Sequence, residues 1–352
     1  MAIVANSYVH VIGIDTHART HTLTIVTAGT GAVEASVSFP ATGPGTTRAV
    51  AWIGRRIHAI NLTLVAVEGI GSYGARIARA CREADLRVVE PLPTAKGLRA
   101  GRGKSDAIDA ELIARSVLAC DTTRLREPRT DEGVRAAVRI LVASREQLNA
   151  HRIATINALT ALVRIVDLGI DARRPLTASQ IATIHAWRDR SEDVGIATAR
   201  REARRMARAI RIADDDLTAN EHDLTALVAA SDAAPLLALP GIGAITAATI
   251  LTSWSHAGRI HSEAAFAAIA GASPIPASSG NITRHRLNRG GDRRLNRALH
   301  AITLTRMAHH QPTRDYVERR RAEGLTTKAI RRCLKRYLAR QIYRTLANPT
   351  PA

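Results

Sequence analysis

Tyr8-Val9-His10-Val11-Ile12-Gly13-Ile14-Asp15 and Leu62-Thr63-Leu64-Val65-Ala66-Val67-Glu68 are the two stretches that decide the fold of this chain. Each is a short apolar run, rich in β-branched residues, that ends on an acid, which is the pattern of a buried strand with a carboxylate at its C-terminal tip. Between them, His21 to Val26 and Val33 to Phe39 alternate in character, and the spacing predicts a helix near Thr46 to Ile60. Beyond Glu68 the pattern predicts a helix near Ser72 to Glu83, a short strand Leu86 to Val89, and a helix that carries Lys104-Ser105-Asp106-Ala107-Ile108-Asp109-Ala110.

Three strands followed by alternating helix and strand is the order of a ribonuclease-H-like α/β fold. In that fold the first and fourth strands are neighbours, which sets Asp15 beside Glu68. Asp106 and Asp109 stand three residues apart and share one face of their helix. Three elements therefore aim four carboxylates at one point. Such a cluster repels itself unless cations sit in it, and Mg²⁺ takes oxygen ligands in octahedral geometry. Asp15, Glu68, Asp106 and Asp109 are thus the expected ligands of a phosphoryl-transfer centre holding two Mg²⁺ ions.

The charge balance points to the substrate. Fifty Lys and Arg against 31 Asp and Glu leave a net charge of +19, the electrostatic footprint of a nucleic-acid binder. Lysine occurs only at positions 96, 104, 328 and 335, so the surplus is arginine, whose planar fork suits bidentate phosphate contacts. An ATPase is excluded: Gly101-Arg102-Gly103-Lys104-Ser105 has Leu98 where the phosphate-binding loop needs a glycine. The stretch reads instead as a basic loop that brings Arg99, Arg102 and Lys104 to a phosphate. Cys81, Cys120 and Cys333 are too scattered for a disulfide framework or a zinc site, which fits a reducing cytoplasm. The first residues carry no export signal. Residues 233–258 contain no Asp, Glu, Lys or Arg, yet Pro240, Gly241 and Gly243 interrupt them, so they read as two short helices and a turn rather than a membrane span.

Residues 126–232 follow as an almost wholly helical segment, with Val134, Val138, Leu141 and Leu148 at helical spacing. It reads either as a spacer or as a dimerising coiled coil. In the last segment, residues 233–352, Pro240-Gly241-Ile242-Gly243 is either a helix-hairpin-helix turn whose backbone amides hold a DNA phosphate or a plain tight turn. Ser278-Ser279-Gly280 sits in a proline-bounded loop followed by Arg284, Arg286, Arg289, Arg293, Arg294 and Arg297, a basic run suited to nucleic acid, and Lys328 to Leu346 reads as a basic amphipathic helix. His285 is either a phosphate contact or a loop residue.

Taken in order, Ile12-Gly13-Ile14-Asp15, Glu68-Gly69, Lys104-Ser105-Asp106-Ala107-Ile108-Asp109-Ala110, Leu239-Pro240-Gly241-Ile242-Gly243 and the stretch from Ser278-Ser279-Gly280 to Asn288-Arg289-Gly290-Gly291-Asp292 resemble the DEDD transposases of the insertion sequence 110 family. The resemblance implies a ribonuclease-H-like metal domain over residues 1–125, a helical spacer or dimerisation region over 126–232, and a mainly helical C-terminal transposase domain over 233–352. It further implies that a serine becomes covalently joined to DNA. Ser279, directly before the glycine, matches best, with Ser278 as its ambiguous neighbour. The implied partners are element and target DNA, a noncoding bridge RNA that supplies sequence recognition, and further copies of the chain as a dimer or dimer of dimers, in a bacterial, nucleoid-associated setting. Two other readings stand beside this one. A metal-only nuclease resembling a Holliday-junction resolvase would use the four acids with water, and a noncatalytic scaffold would need none of them.

Overall fold

A computed structural model of the chain describes residues 2–92, 103, 105–129, 132–276, 285–286, 288 and 290–348. They fall into two compact units, Met1–Thr130 with His256–Ser262, and Asp131–Ser255 with Glu263–Ala352.

In the first unit a short helix α1 (Val4–Ser7) precedes β1 (His10–Thr16), β2 (Thr20–Thr27) and β3 (Val33–Pro40), which form an antiparallel meander. After α2 (Gly43–Gly54), β4 (Thr63–Val67) pairs in parallel with β1, and β5 (Arg87–Val89) adds beyond it after α3 (Ala75–Glu83). The resulting strand order β3-β2-β1-β4-β5 is a mixed sheet compatible with the ribonuclease-H-like arrangement. Ile12, Ile14, Leu23, Ile25, Val65 and Val67 pack on one face against Trp52, Ile53, Ile77 and Cys81 of α2 and α3. On the other face Val11, Val26, Leu64 and Ala66 meet Ile113, Ala114 and Val117 of α4 (Asp106–Leu118). Burial on both faces explains why β1 and β4 are continuous apolar runs, whereas the edge strand β3 alternates between exposed and half-buried positions.

The limits of two helices differ from the expected ones. Thr42 accepts from Gly45 N at 3.2 Å and Pro44 stands in the first turn, so α2 starts early. It stops at Gly54 instead of reaching Ile60, where a 3₁₀ turn, Ile60–Leu62, leads into β4. α3 begins at Ala75 because Ser72 and Gly74 both donate backbone bonds to Gly69 O, at 2.8 and 3.0 Å, closing a turn first.

The second unit is built on α5 (Gly133–Ile165) and α7 (Val194–Ala229), with α6 (Ala178–His185) between them. Asn220 donates to Leu141 O at 3.0 Å, Arg145 pairs with Glu221 at 3.1 Å, Arg152 with Asp214, and Arg135 with Asp232 at 3.3 Å. Residue numbers rise on one helix as they fall on the other, so the pair is antiparallel within the chain. Ala199, Ala203 and Ala207 recur every four residues on α7, and these small side chains let Leu159 and Val163 of α5 and Ile181 and Ile184 of α6 close over it. Arg200, 6% exposed, is held by two bonds to Glu192, at 2.7 and 2.6 Å, and lies 4.7 Å from the Trp187 ring centroid.

Beyond α7, residues 233–258 form the two short helices and turn expected of them, the first as a 3₁₀ helix. Pro235 stands in the first turn of that helix, Ala234–Ala238, Pro240 follows its end, and the second is the α-helix α8 (Ala244–Trp254). There follow α9 (Glu263–Ile269), the two-residue strands β6 (Ile275–Pro276) and β7 (His285–Arg286), α10 (Arg293–His309), α11 (Gln311–Ala322) and α12 (Thr327–Ala347), the last being the expected basic helix. Trp254 packs edge-on to Phe266 and Tyr343, at 6.0 and 5.5 Å between ring centroids, and joins α8, α9 and α12. No helix among the described residues is long and apolar enough to cross a membrane.

α4 lies on β1 without clearance at one point. A Cβ placed on Gly13 would sit 1.9 Å from Ala110 O and 2.6 Å from Ala114 N, both backbone atoms. Gly13→Ala is expected to lower stability by about 3 kcal/mol, the upper end of ordinary overpacking costs, because neither atom belongs to a side chain that can turn away. Urea unfolding checks this, and a loss under about 1 kcal/mol would show that the helix yields easily.

Candidate active site

The contact at Gly13 also sets the acids. Residues two apart on a strand share a face, so Asp15 projects on the α4 side along with Gly13. Thr24 Oγ1 donates to Ala107 O at 3.3 Å and ties the start of α4 to β2, while the Ser105 hydroxyl caps the helix by accepting from Ile108 N at 3.4 Å. Asp106 and Asp109 consequently occupy the first turn, where the helix dipole favours negative charge.

Asp15 is 5% exposed. His17 Nε2 stands 3.1 Å from Asp15 Oδ2 and 3.7 Å from Asp106 Oδ1, and one ligand atom from each of these three residues lies within 4.8 Å of the others. Burial pushes the Asp15 carboxyl above its ordinary range. His17 opposes that rise, and the charges of Asp109 and Asp106 add to it. An imidazole between two carboxylates, with a third carboxylate within electrostatic reach, is a donor set that fits a divalent cation. Mg²⁺ would favour the oxygens, and the imidazole nitrogen would suit a softer ion such as Mn²⁺.

Glu68 follows β4 directly. Its backbone N donates to Ile14 O at 3.0 Å and its carbonyl accepts from Thr16 Oγ1 at 2.9 Å. Gly69, at φ +65°, then turns the chain in a conformation that few other residues adopt, and a Cβ there would lie 2.9 Å from Thr16 Oγ1. The exposed Glu68 and the half-buried Asp109 line one open cavity of about 410 Å³, together with Glu90, Arg129 and Arg259. The structure thus brings Asp15 and Asp106 together through His17, sets Asp109 in the field of Asp15, and leaves Glu68 and Asp109 outside the tight three-residue group. Reading the sequence for acids alone passes over His17. Its signal is the spacing Asp15-Thr16-His17, a histidine two residues beyond an acid at the end of β1.

Of the residues expected in the basic loop beside the acids, Arg99, Arg102 and Lys104 lie outside the described residues, as do Ser278, Ser279, Arg284 and Arg289 of the expected second site. Gly241 and Gly243 line a shallow cavity of about 440 Å³ with Thr246 and Thr305. Gly243 N already donates to Thr246 Oγ1 at 3.1 Å, which leaves fewer amides for an anion than a bare helix start offers. Arg306 Nε fastens the same turn by donating to Pro240 O at 2.6 Å. Arg286 on β7 and Arg293 at the start of α10 are exposed. Arg294 and Arg297 share Glu146 of α5, at 2.7 and 2.8 Å. Asp292 is structural: it caps α10 by accepting from Arg294 N and Leu295 N, and it also accepts from Ser253 Oγ at 2.7 Å.

The IS110 DEDD transposase model matches residues 12–166, and the model described as transposase IS116/IS110/IS902 family matches residues 233–318. An uncharacterized 43.6 kDa protein of insertion element IS110 from Streptomyces coelicolor is 33% identical over 139 residues, and that stretch covers 39% of this chain and 33% of the relative. The first match takes in the acids of β1, β4 and α4 and the second the Pro240 turn and α10, and on these two matches the chain belongs to the DEDD transposases of the IS110 family.

Proposed function

We propose that this protein moves an insertion sequence by cutting and rejoining DNA, with a divalent-metal centre on Asp15, Asp106, Asp109 and Glu68 and with Ser279 as nucleophile. The observation that carries the reading is the buried Asp15 carboxylate held against Asp106 by the close seating of α4 on β1. A carboxylate in that position is costly by itself and becomes favourable with a cation beside it. Two Mg²⁺ ions, when bound, would polarise a phosphoryl oxygen and stabilise the attacking and leaving oxygens. His17 would supply a neutral nitrogen ligand or carry a proton between Asp15 and Asp106.

In the proposed reaction Ser279 Oγ attacks a backbone phosphorus and loses its proton to a nearby base. One phosphorus–oxygen bond forms and one breaks, releasing a deoxyribose hydroxyl. Attack by the hydroxyl of another strand reverses the exchange, frees the serine and reseals the DNA. The number of phosphoester bonds is conserved, which agrees with the missing ATP-binding loop. The arginine surplus would hold nucleic-acid backbone, while an element-encoded RNA would read sequence by base pairing and a homo-oligomer would bring the serine to the acids.

Excision of an element bearing its native ends and flanking noncoding sequence tests this in cells. Asp15→Asn, Asp106→Asn and Ser279→Ala are each expected to reduce the excised junction by about 100-fold or more at equal protein level, since even outer-shell changes at metal sites cost 10–100-fold. An active Ser279→Ala beside a dead Asp106→Asn would transfer the chemistry to Ser278 or to water.

A second prediction concerns the metal itself. At a free concentration 100 times Kd, Mg²⁺ or Mn²⁺ should stabilise the wild type by about 2.7 kcal/mol. Thermal unfolding is expected to show a rise of several degrees in the wild type and none in Asp15→Asn. Without metal, Asp15→Asn should unfold no lower than the wild type, because the amide removes a buried charge.

A further inference from the structure

The segment His256–Ser262 follows α8 in the chain yet belongs to the first unit, where Ile260 is 3% exposed and anchors it. This return delivers Arg259 to the cavity that Glu68 and Asp109 line. The Arg259 side chain is 11% exposed, and its Nη2 lies 3.5 Å from Glu90 Oε2. Glu90 is itself placed by a backbone bond to Arg126 O at 2.9 Å, which runs the stretch carrying Arg126 and Arg129 alongside β5. Burial draws Arg259 below its ordinary value; Glu90 opposes that, and the positive charges of Arg129 and Arg126 add to it. Arginine nonetheless stays charged in such surroundings. Two guanidinium groups, Arg259 and Arg129, thus line a cavity whose acids are Glu68, Glu90 and Asp109, and Arg126 lies within electrostatic reach of Arg259.

Guanidinium groups set among those acids have a chemical use. A polyanion approaching a cluster of carboxylates is repelled, and bound cations cancel only part of the repulsion. Two arginines on the same cavity would give a phosphodiester a point of attachment beside those acids, and the planar guanidinium fork would fix its orientation through two parallel bonds. Glu90, itself held by the backbone, keeps Arg259 in place.

We propose that Arg259, assisted by Arg129, binds a backbone phosphate of the DNA substrate in the cavity lined by Glu68 and Asp109. The proposal rests on the reading of those acids as part of a DNA-cleaving centre, and it adds a binding residue supplied by the distant segment 256–262.

The test compares full-length wild type, Arg259→Gln, Arg259→Lys, Arg129→Gln and Asp106→Asn in three measurements: excision in cells, Mn²⁺ titration of the purified protein, and the salt dependence of its binding to an element-end oligonucleotide. Arg259→Gln is expected to cut excision about 10- to 100-fold, to leave Mn²⁺ binding and thermal unfolding at wild-type values, and to flatten the slope of log K against log salt by about 0.9, the amount for one lost phosphate contact. Arg129→Gln should show the same pattern more weakly. Arg259→Lys should recover the salt slope but only part of the excision, because a point charge replaces the fork. Wild-type excision and an unchanged slope in Arg259→Gln, while Asp106→Asn is dead, would overturn the proposal and leave the metal centre standing. Loss of Mn²⁺ binding or of folding in Arg259→Gln, with Arg129→Gln unaffected in every measurement, would also overturn it by making Arg259 a structural residue. Full excision by Asp106→Asn would bring down the underlying reading instead.

Discussion

Backbone-to-backbone contact between β1 and α4 is the constraint on which the acidic centre depends. Gly13 has no Cβ, so the carbonyl of Ala110 and the amide of Ala114 occupy space that any other residue would fill. The approach seats Ile113, Ala114 and Val117 in the sheet's second core, and it also carries Asp106 and Asp109 to the tip of β1. Packing and chemistry therefore share one cause. The helix cannot sit close enough to bury its apolar stripe without also pressing its first-turn acids toward Asp15, and the field that results favours a cation.

The sheet was legible because both strand periods appear in it: continuous apolar runs where β1 and β4 are covered on two sides, alternation where β3 is covered on one. The acids were legible for the same reason, since a charged residue stands out at the end of a run such as Val65-Ala66-Val67-Glu68. Helix ends were less so. The limits of α2 turn on the Thr42 cap and on Gly54, and the segment before α8 on Pro235 and Pro240, local effects that a periodic pattern does not record. The long helices were visible as helices, but their antiparallel partnership depends on Asn220, Arg145 and Arg152 meeting residues more than sixty positions away. His17 was hidden by its ordinariness, a lone histidine next to a turn. Arg259 was hidden by distance, because nothing in its local sequence tells that the chain returns there to the first unit. The loop that carries Ser279 lies outside the described residues, and its role stays with the family resemblance.

Arginine serves two purposes in this chain. Inside the helical unit it is an internal fastener: Arg200 with Glu192, Arg145 with Glu221 and Arg340 with Glu263 fix elements to one another. A long side chain of this kind covers apolar surface with its stem and bonds with its head, so its removal costs packing as well as charge. Arg294 and Arg297 sit at the boundary of the two uses, paired with Glu146 but 49% and 72% exposed, so their outer N–H groups face solvent. The net charge of +19 is consequently a poor map of where nucleic acid would lie. Exposure and the company each guanidinium keeps are the better guide.

The first unit is assembled from two pieces of chain, and this bears on how the molecule is made. On a ribosome the sheet and α4 emerge early, while His256–Ser262 emerges only after both long helices. During that interval the sheet can fold, but the wall of its cavity that holds Arg259 does not yet exist. A nascent chain, or one truncated before residue 256, would carry the acids without the arginine drawn in by the later segment. A half-made copy therefore lacks the residue of the proposed phosphate contact, which synthesis supplies only once most of the chain has been completed.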